Sequence, residues 1–349
     1  KYGSIENRFI KKITKKNGGD YMGLAWKDYD EKKQAEVMSF CDDYMAFLSK
    51  AKTERRFVQL AIEKAEAAGY RNIEEIIQKK ESLHPQDKVY MNQMNKAVAL
   101  MQIGDDPLED GMNILGAHID SPRLDLKQHP LYEEGDLAYF DTHYYGGVKK
   151  YQWVTIPLAI YGVVVLKNGQ TIDVAIGDKE EDPVFVISDL LIHLASKQMN
   201  KKADQVVEGE SLNVTIGSIP LADGKEDPVK AHILQILKTN YGFEEEDFIS
   251  AELEVVPAGK ARSCGLDKSL ILAYGQDDKV CAYSSLRAML EDRHLQRTAA
   301  CLLVDKEEVG SQGATGMQSQ FFEDFVAEVL YALGKDSNLA VRRTLLHSA

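Results

Sequence analysis

Three short stretches hold residues able to bind a metal ion or move a proton. They are His118 and Asp120 in Gly116-Ala117-His118-Ile119-Asp120-Ser121-Pro122, Asp277 and Asp278 after Gly275-Gln276, and Glu307 and Glu308 in Asp305-Lys306-Glu307-Glu308-Val309-Gly310. Each alone has an ordinary structural explanation: a hydrogen-bonded histidine, a capping aspartate, a solvated glutamate pair. Together they offer one imidazole and several carboxylates without a thiolate. That donor set suits a hydrolytic zinc, manganese or cobalt centre better than a structural zinc. Two divalent ions about 3.5–4 Å apart clamp and deprotonate a bridging water. A ligand shared by both ions needs two oxygens and is therefore Asp or Glu. A carboxylate behind the histidine fixes its tautomer, which suits Asp120 beside His118. One further carboxylate must stay off the metals to carry the proton, so the Glu pair can divide into a ligand and a base.

The same three stretches each close an apolar run that reads as a strand: Met112–Ile119, Ser269–Tyr274 and Thr298–Val304. Ligand sites of parallel α/β sheets form outside the carboxyl ends of the strands, and three such ends carrying donors point to one shared site. Adjacent side chains on a strand face opposite ways, so Glu307 and Glu308 share a pocket only if the chain leaves strand geometry. Glycines at 310, 313 and 316 make such a turn. His118 and Asp120, two apart, share a face until Pro122 stops the ladder. Lys279–Leu290 reads as a helix, with Asp278 a candidate cap.

Helical spacing places further helices over Asp30–Ser49 and Thr53–Ala68, the second capped by Thr53 and ended by Gly69. From Leu124 to Gly259 the texture changes. Trp153–Leu166 and Thr171–Ile176 read as strands about an Asn168-Gly169 hairpin turn. Val184–Ile187 reads as a strand before a helix over Ser188–Met199, Lys201–Gly224 as a loop, Val229–Tyr241 as a helix and Phe248–Val256 as a returning strand. The aromatic stretch Tyr139–Trp153 reads as packing or a subunit contact. Gln320–Leu333 is an amphipathic helix. The expected architecture is an α/β catalytic domain over 1–123 and 260–349, interrupted by an α+β, strand-rich insertion over 124–259. Residues 1–27 are polar and basic, with a turn at Asn17-Gly18-Gly19-Asp20.

A chain of 349 residues, 44% hydrophobic and 28% charged, is ordinary globular composition with room for two domains. A formal charge of -13 disfavours nucleic acid or an anionic membrane as the main partner, and the clusters Lys11-Lys12 and Lys15-Lys16 are too short to reverse that. Cys41, Cys264, Cys281 and Cys301 form no Cys-x-x-Cys pair, which points to reduced, mostly buried thiols in a cytoplasmic protein. No run is long enough for a transmembrane helix and no signal-peptide pattern appears, although the chain begins at Lys1 rather than Met.

Ala117-His118-Ile119-Asp120-Ser121-Pro122, Gln276-Asp277-Asp278-Lys279 and Asp305-Lys306-Glu307-Glu308-Val309-Gly310-Ser311 resemble the signatures of the M18 family of metalloaminopeptidases. Aspartyl aminopeptidase and vacuolar aminopeptidase I belong to that family. The interval of 30 residues from Asp277 to Glu307 fits it, and the resemblance spans most of the chain. It implies a mixed-sheet zinc-peptidase fold, phosphorylase/hydrolase-like, with an inserted dimerisation domain. It also implies two divalent ions, zinc as found with manganese or cobalt as alternatives, and peptide substrates. Homo-oligomers built from dimers, dodecamers in several members, complete the picture. Carried over residue by residue, His118 ligates one ion, Asp277 bridges both, Glu308 ligates the other, Glu307 is the general base and Asp120 orients His118.

Two departures accompany the resemblance. The family's further metal-binding Asp and late His would follow about where this sequence stops, and His347 does not match that late His motif. Aspartyl aminopeptidases also carry a Trp-His-Thr-Trp stretch before an Asp-Arg-Asp run, where this chain has Lys150-Tyr151-Gln152-Trp153 and then Val154–Ile160. Tyr151 replaces the His, which points to a general or neutral rather than an acidic residue preference. Serine-hydrolase and hydride chemistry lack support in these residues. No Gly-x-Ser-x-Gly elbow is present, and the glycines at 310, 313 and 316 do not have dinucleotide spacing. A two-metal deacylase or carboxypeptidase, and a non-catalytic subunit or fragment retaining the fold, are the alternatives to an aminopeptidase.

Overall fold

The computed structural model describes residues 24–222, 226–335 and 338–348. The basic clusters at 11–16 and the turn at Asn17-Gly18-Gly19-Asp20 lie outside the described residues. Two units divide the chain, 1–44 and 45–349. In the first, a short 3₁₀ turn (Ala25–Lys27) carries Trp26, whose ring meets that of Tyr29 edge-on with centres 6.0 Å apart. Asp30 then accepts a hydrogen bond from Lys33 N at 2.7 Å, which starts helix α1 (Glu31–Lys50).

In the second unit a five-stranded mixed sheet is built in the spatial order β1 (Arg71–Asn72), β2 (Lys88–Gln93), β3 (Ala97–Gln102), β13 (Ala299–Val304), β4 (Asn113–His118). Strand β3 is antiparallel to β2 and β13, whereas β13 runs parallel to β4 with Val304 level with His118. All six residues of β3 are buried, which explains why its sequence is a continuous apolar run rather than an alternating one. On one face, Val89, Met91, Ala99, Met101, Leu302 and Val304 form a core with α3 (Ile73–Gln78), α6 (Phe321–Ala332) and α7 (Asn338–Leu346). Against the other face lie α2 (Glu54–Ala67) and α5 (Gln276–Leu290). There Phe47 meets the rings of Phe57 and Tyr283, each at 5.0 Å. Helix α2 opens with Thr53 accepting from Arg56 N at 3.4 Å and is followed by Gly69 at φ +89°, as its sequence leads one to expect.

A second, antiparallel sheet takes its strands from 123–257, in the order β8 (Thr171–Ile176), β7 (Leu158–Val165), β10 (Ala251–Pro257), β5 (Arg123–Glu134), β6 (Leu137–Tyr145), β9 (Val214–Gly217). Leu124, Phe140, Ile160, Val174 and Val255 pack with Phe248 and with Val229 of α4 (Pro228–Ile236). The β7–β8 turn has Gly169 at φ +84° and Asn168 Oδ1 accepting from Gln170 N at 2.9 Å.

Four expectations are corrected. Ser188–Met199 is not a helix but a run of turns before a 3₁₀ turn at Gln198–Asn200. Asp189 Oδ1 takes Leu190 N and the Gln198 amide, both at 2.8 Å, a local arrangement that competes with helical bonding. Leu190, Leu191, Ile192 and Leu194 are also all exposed, so no apolar stripe holds a helix down. Second, only Leu270–Leu272 of Ser269–Tyr274 is a strand, β12, and it pairs with β11 (Arg262–Cys264) in a hairpin separate from both sheets. Gly265 and Lys268, both at positive φ, reverse the chain so tightly that this run meets the segment just before it. Third, the polar stretch Lys201–Gly224 contains β9, anchored by buried Leu212 and Val214. Fourth, the four cysteines are free, but only Cys301 is buried; Cys281 is exposed on α5. No helix among the described residues is long and apolar enough to cross a membrane.

Candidate metal centre

Parallel register is what brings the His118 and Glu307–Glu308 stretches together. Because Val304 lies beside His118, the chain leaves β4 and β13 at the same edge of the sheet, and Ile119 N donates to Val304 O at 2.8 Å to extend the pairing one step. Past Asp305 the backbone turns abruptly: Lys306 sits at φ +72°, Glu307–Val309 forms a 3₁₀ turn, and Gly310 follows at φ +95°. That turn takes both glutamates out of strand alternation. One ligand atom from each of His118, Glu307 and Glu308 lies within 4.8 Å of the others.

Asp277 arrives by another route. Its preceding strand β12 is not in the sheet, so the expected third strand end is replaced by the first turn of α5, which packs across β4 and β13. Asp277 and Asp278 are non-helical there and are joined by a cis peptide. Asp277 Oδ1 is 3.4 Å from His118 Nε2, and Glu307 Oε2 is 3.8 Å from the same nitrogen. Asp278 instead hydrogen-bonds the Cys281 thiol, which pushes that thiol up.

Behind these groups Asp120 is completely buried. His118 Nδ1 faces both its Oδ1 at 3.3 Å and its carbonyl oxygen at 3.1 Å. Tyr145 donates its hydroxyl to Oδ2 at 2.8 Å, and the backbone N–H groups of Glu307 and Glu308 donate to Oδ1 and Oδ2 at 3.3 and 3.2 Å. Burial alone would raise the Asp120 carboxyl, yet these donors hold it below the usual carboxylate range. Burial likewise works against the His118 cation, but Asp120 and Glu307 push the imidazole up to about 9. Glu308 is raised by burial and by Asp120, Glu307 and Asp277, against the pull of His118. One imidazole therefore sits among more carboxylates than it can neutralise. This surplus, with nitrogen and oxygen donors and no thiolate, is what a divalent zinc-type ion fits.

Four further residues shape the site, none of them a candidate site residue from the sequence. Gly146, at φ +73°, passes so close to Glu308 that a Cβ would lie 3.0 Å from the Glu308 Cβ and 3.2 Å from its Oε2. Tyr145 precedes it; the only sequence signal was an aromatic residue before Gly146-Gly147. Lys279 is buried, donates to Ser121 Oγ at 2.8 Å, and is lowered by burial to about 8. Ser121 in turn donates to the Asp277 carbonyl at 3.3 Å, tying the chain after β4 to the Asp277 turn.

A second acidic group, Glu54, Glu252 and Glu254, is equally close together but is not an ion site, because cations of the chain already occupy it. Lys96 pairs with Glu54 at 2.9 Å and with Glu252, and Arg123 meets Glu54 at 3.5 Å, Glu254 at 3.4 Å and Asp125 at 2.7 Å. The Arg123 guanidinium lies 3.8 Å from the centre of the Tyr145 ring. Glu54 and Glu254 are both fully buried here, and two close buried carboxylates are stabilised by holding one proton between them: Glu254 is raised and Glu54 lowered.

Comparison with known proteins bears on this geometry. The family model "Aminopeptidase I zinc metalloprotease (M18)" matches residues 47–349. A Clostridium acetobutylicum protein described as "Probable M18 family aminopeptidase 1" is 55% identical over 325 residues, which span 93% of this chain and 70% of that protein. The crystal structure of an M18-family aminopeptidase from Thermotoga maritima superposes with a TM-score of 0.88 at 40% identity, covering 95% of this chain and 71% of that one. The S. cerevisiae mApe1 dodecamer shares the fold at 18% identity, with a TM-score of 0.65 over 85% of this chain and 67% of its own.

Proposed function

The chain belongs to the M18 family and is a zinc metalloaminopeptidase that removes N-terminal residues from peptides, and on that premise we propose how its residues divide the work. His118, Asp277 and Glu308 would hold the divalent metal, with Glu307 left as the general base. The observation that carries this reading is the convergence of Asp277 and Glu307 on one nitrogen, His118 Nε2, at 3.4 and 3.8 Å. When bound, the metal supplies Lewis acidity, polarising the scissile carbonyl and lowering the pKa of water.

The remaining steps belong to side chains. Asp120 receives the proton side of the imidazole at Nδ1 and so leaves the Nε2 lone pair for the ion. Glu308 is the more enclosed of the glutamates, with Gly146 leaving beside it no room for a side chain, which favours a fixed ligand. Glu307 has 57% of its side chain exposed, which favours a carboxylate free to take a proton from the attacking water and pass it to the leaving amine. Residues 1–123 with 260–349 form the catalytic domain in this reading, and 124–259 form an inserted dimerisation domain.

Hydrolysis of aminoacyl p-nitroanilides by the full-length protein tests the reading. Release should be abolished by chelation and restored by zinc, manganese or cobalt. Leucyl substrates should be turned over faster than aspartyl ones, because Tyr151 stands where the acid-preferring members have a histidine. Chelator-resistant turnover would overturn the metal role, and an aspartyl preference would overturn the substrate reading alone.

We also propose that a second copy of this chain covers the exposed segment Leu190–Leu194. Leu191 and Leu194 are 71% and 70% exposed beside exposed Leu190 and Ile192, and large apolar side chains left to solvent in one segment favour an interface. The double variant L191D/L194D should sediment as a smaller species than the parent protein. An unchanged sedimentation coefficient would remove this segment from the interface.

A further inference from the structure

We infer that Tyr145, carried by the second sheet, is a positioning residue for the metal ligands of the first; this rests on the reading above that His118 and Glu308 bind metal. Strand β6 ends at Tyr145, and the two residues at this point touch the site from behind in two places. The Tyr145 hydroxyl donates to Asp120 Oδ2 at 2.8 Å, and Gly146 packs against the Glu308 side chain. Asp120 is the group through which this contact spreads: its two oxygens also receive Glu307 N and Glu308 N and face His118 Nδ1. The hydroxyl is thus the one side-chain donor from the second sheet that helps fix the rotamer of the carboxylate facing the imidazole and the backbone of the glutamate turn.

The ring of Tyr145 is itself held. The Arg123 guanidinium lies 3.8 Å from its centre, and the Lys306 ammonium lies 5.5 Å from it. Arg123 starts β5 and Lys306 begins the glutamate turn, so the tyrosine is clamped between the two segments whose spacing decides where the ligands point. Outer partners of metal-ligating histidines alter metal affinity about 10–100-fold when removed, and Tyr145 lies one residue further out, so an effect near the lower end is expected.

The test is Co(II) binding to the full-length protein, read by competition with a chromophoric chelator and by the visible absorption of the bound ion. Y145F should weaken Co(II) binding about 10-fold and change the absorption band, since a loosened Asp120 changes the ligand field of His118. The matched control is Y161F, in the same sheet, whose hydroxyl donates to Asp178 at 2.6 Å rather than to the site. It loses a comparable hydrogen bond and should leave both readouts unchanged. An unchanged Y145F, or equal losses in the two variants, would overturn the inference. Should Y145F not fold, 3-fluorotyrosine at position 145 keeps the ring and alters the donor. An affinity and absorption band identical to the parent would then overturn the inference, and a shift in both would support it. His118→Ala separates the two levels of argument: Co(II) affinity unchanged by H118A overturns the metal-site reading itself, whereas loss in H118A with no change in Y145F overturns only the role of Tyr145.

Discussion

Glu307→Gln is expected to lower kcat by about 10²–10⁴-fold while leaving the zinc content of the protein unchanged, the signature of a lost proton carrier. The substitution keeps size and shape but removes the group that can hold a proton. Most of the Glu307 side chain is in solvent and its backbone N–H stays bonded to Asp120, so the fold should be unaffected. Glu308→Ala is the counterpart. That carboxylate is more enclosed and lies against Gly146, and its removal should cost bound metal first and turnover as a consequence. Metal analysis alongside saturation kinetics distinguishes the outcomes. An E307Q enzyme that turns over at the parent rate would exclude Glu307 as the base. Zinc lost from E307Q and kept by E308A would exchange the two roles, an outcome allowed by the closeness of both carboxylates to His118.

Much of this site was legible in the sequence because its donors lie where chain direction changes. The apolar runs before His118 and Glu307 are the strands β4 and β13, and the glycine after the Glu pair stands at positive φ where the turn needs it. The run before Asp277 misled for a definite reason. It has strand composition, but a local reversal gives it a hairpin partner, and nothing in a short apolar run records which sheet it joins. Tyr145 and Lys279 were not legible as site residues. Both act through contacts with residues far along the chain, Tyr145 with Asp120 and Lys279 with Ser121, and such pairings leave no periodic trace. The helix expected over Ser188–Met199 failed differently: Leu190, Leu191, Ile192 and Leu194 are all exposed, so no apolar stripe anchors a helix there.

The largest stability effect should come from Arg123→Ala. Arg123 is buried and meets Glu54, Glu254 and Asp125 at once, so its removal strands carboxylates away from water. Breaking a buried pair from one side costs about 3–5 kcal/mol, far more than an exposed ion pair contributes. The urea midpoint should fall accordingly, with metal affinity falling too if the Tyr145 clamp is loosened. Glu254→Gln should behave oppositely, although it removes a residue from the same cluster. Burial and the charge of Glu54 push the Glu254 carboxyl well above its ordinary 4.5, whereas Arg123 and Lys96, outweighing burial, hold Glu54 below it. The folded protein therefore keeps a proton on Glu254 that the unfolded chain releases above about pH 4.5, and the stability tied to this group is lost as pH rises from there toward the folded pKa. A neutral amide mimics the protonated form. E254Q should match the parent near pH 5 and gain on it as pH is raised. Glu54 has the reverse sign: its contribution is present above its ordinary pKa and disappears on acidification, so E54Q should be costly at pH 7. Urea midpoints of the three variants across pH 5–9 check the assignment, and an E254Q protein losing more than about 2 kcal/mol at pH 7 would place the shared proton elsewhere.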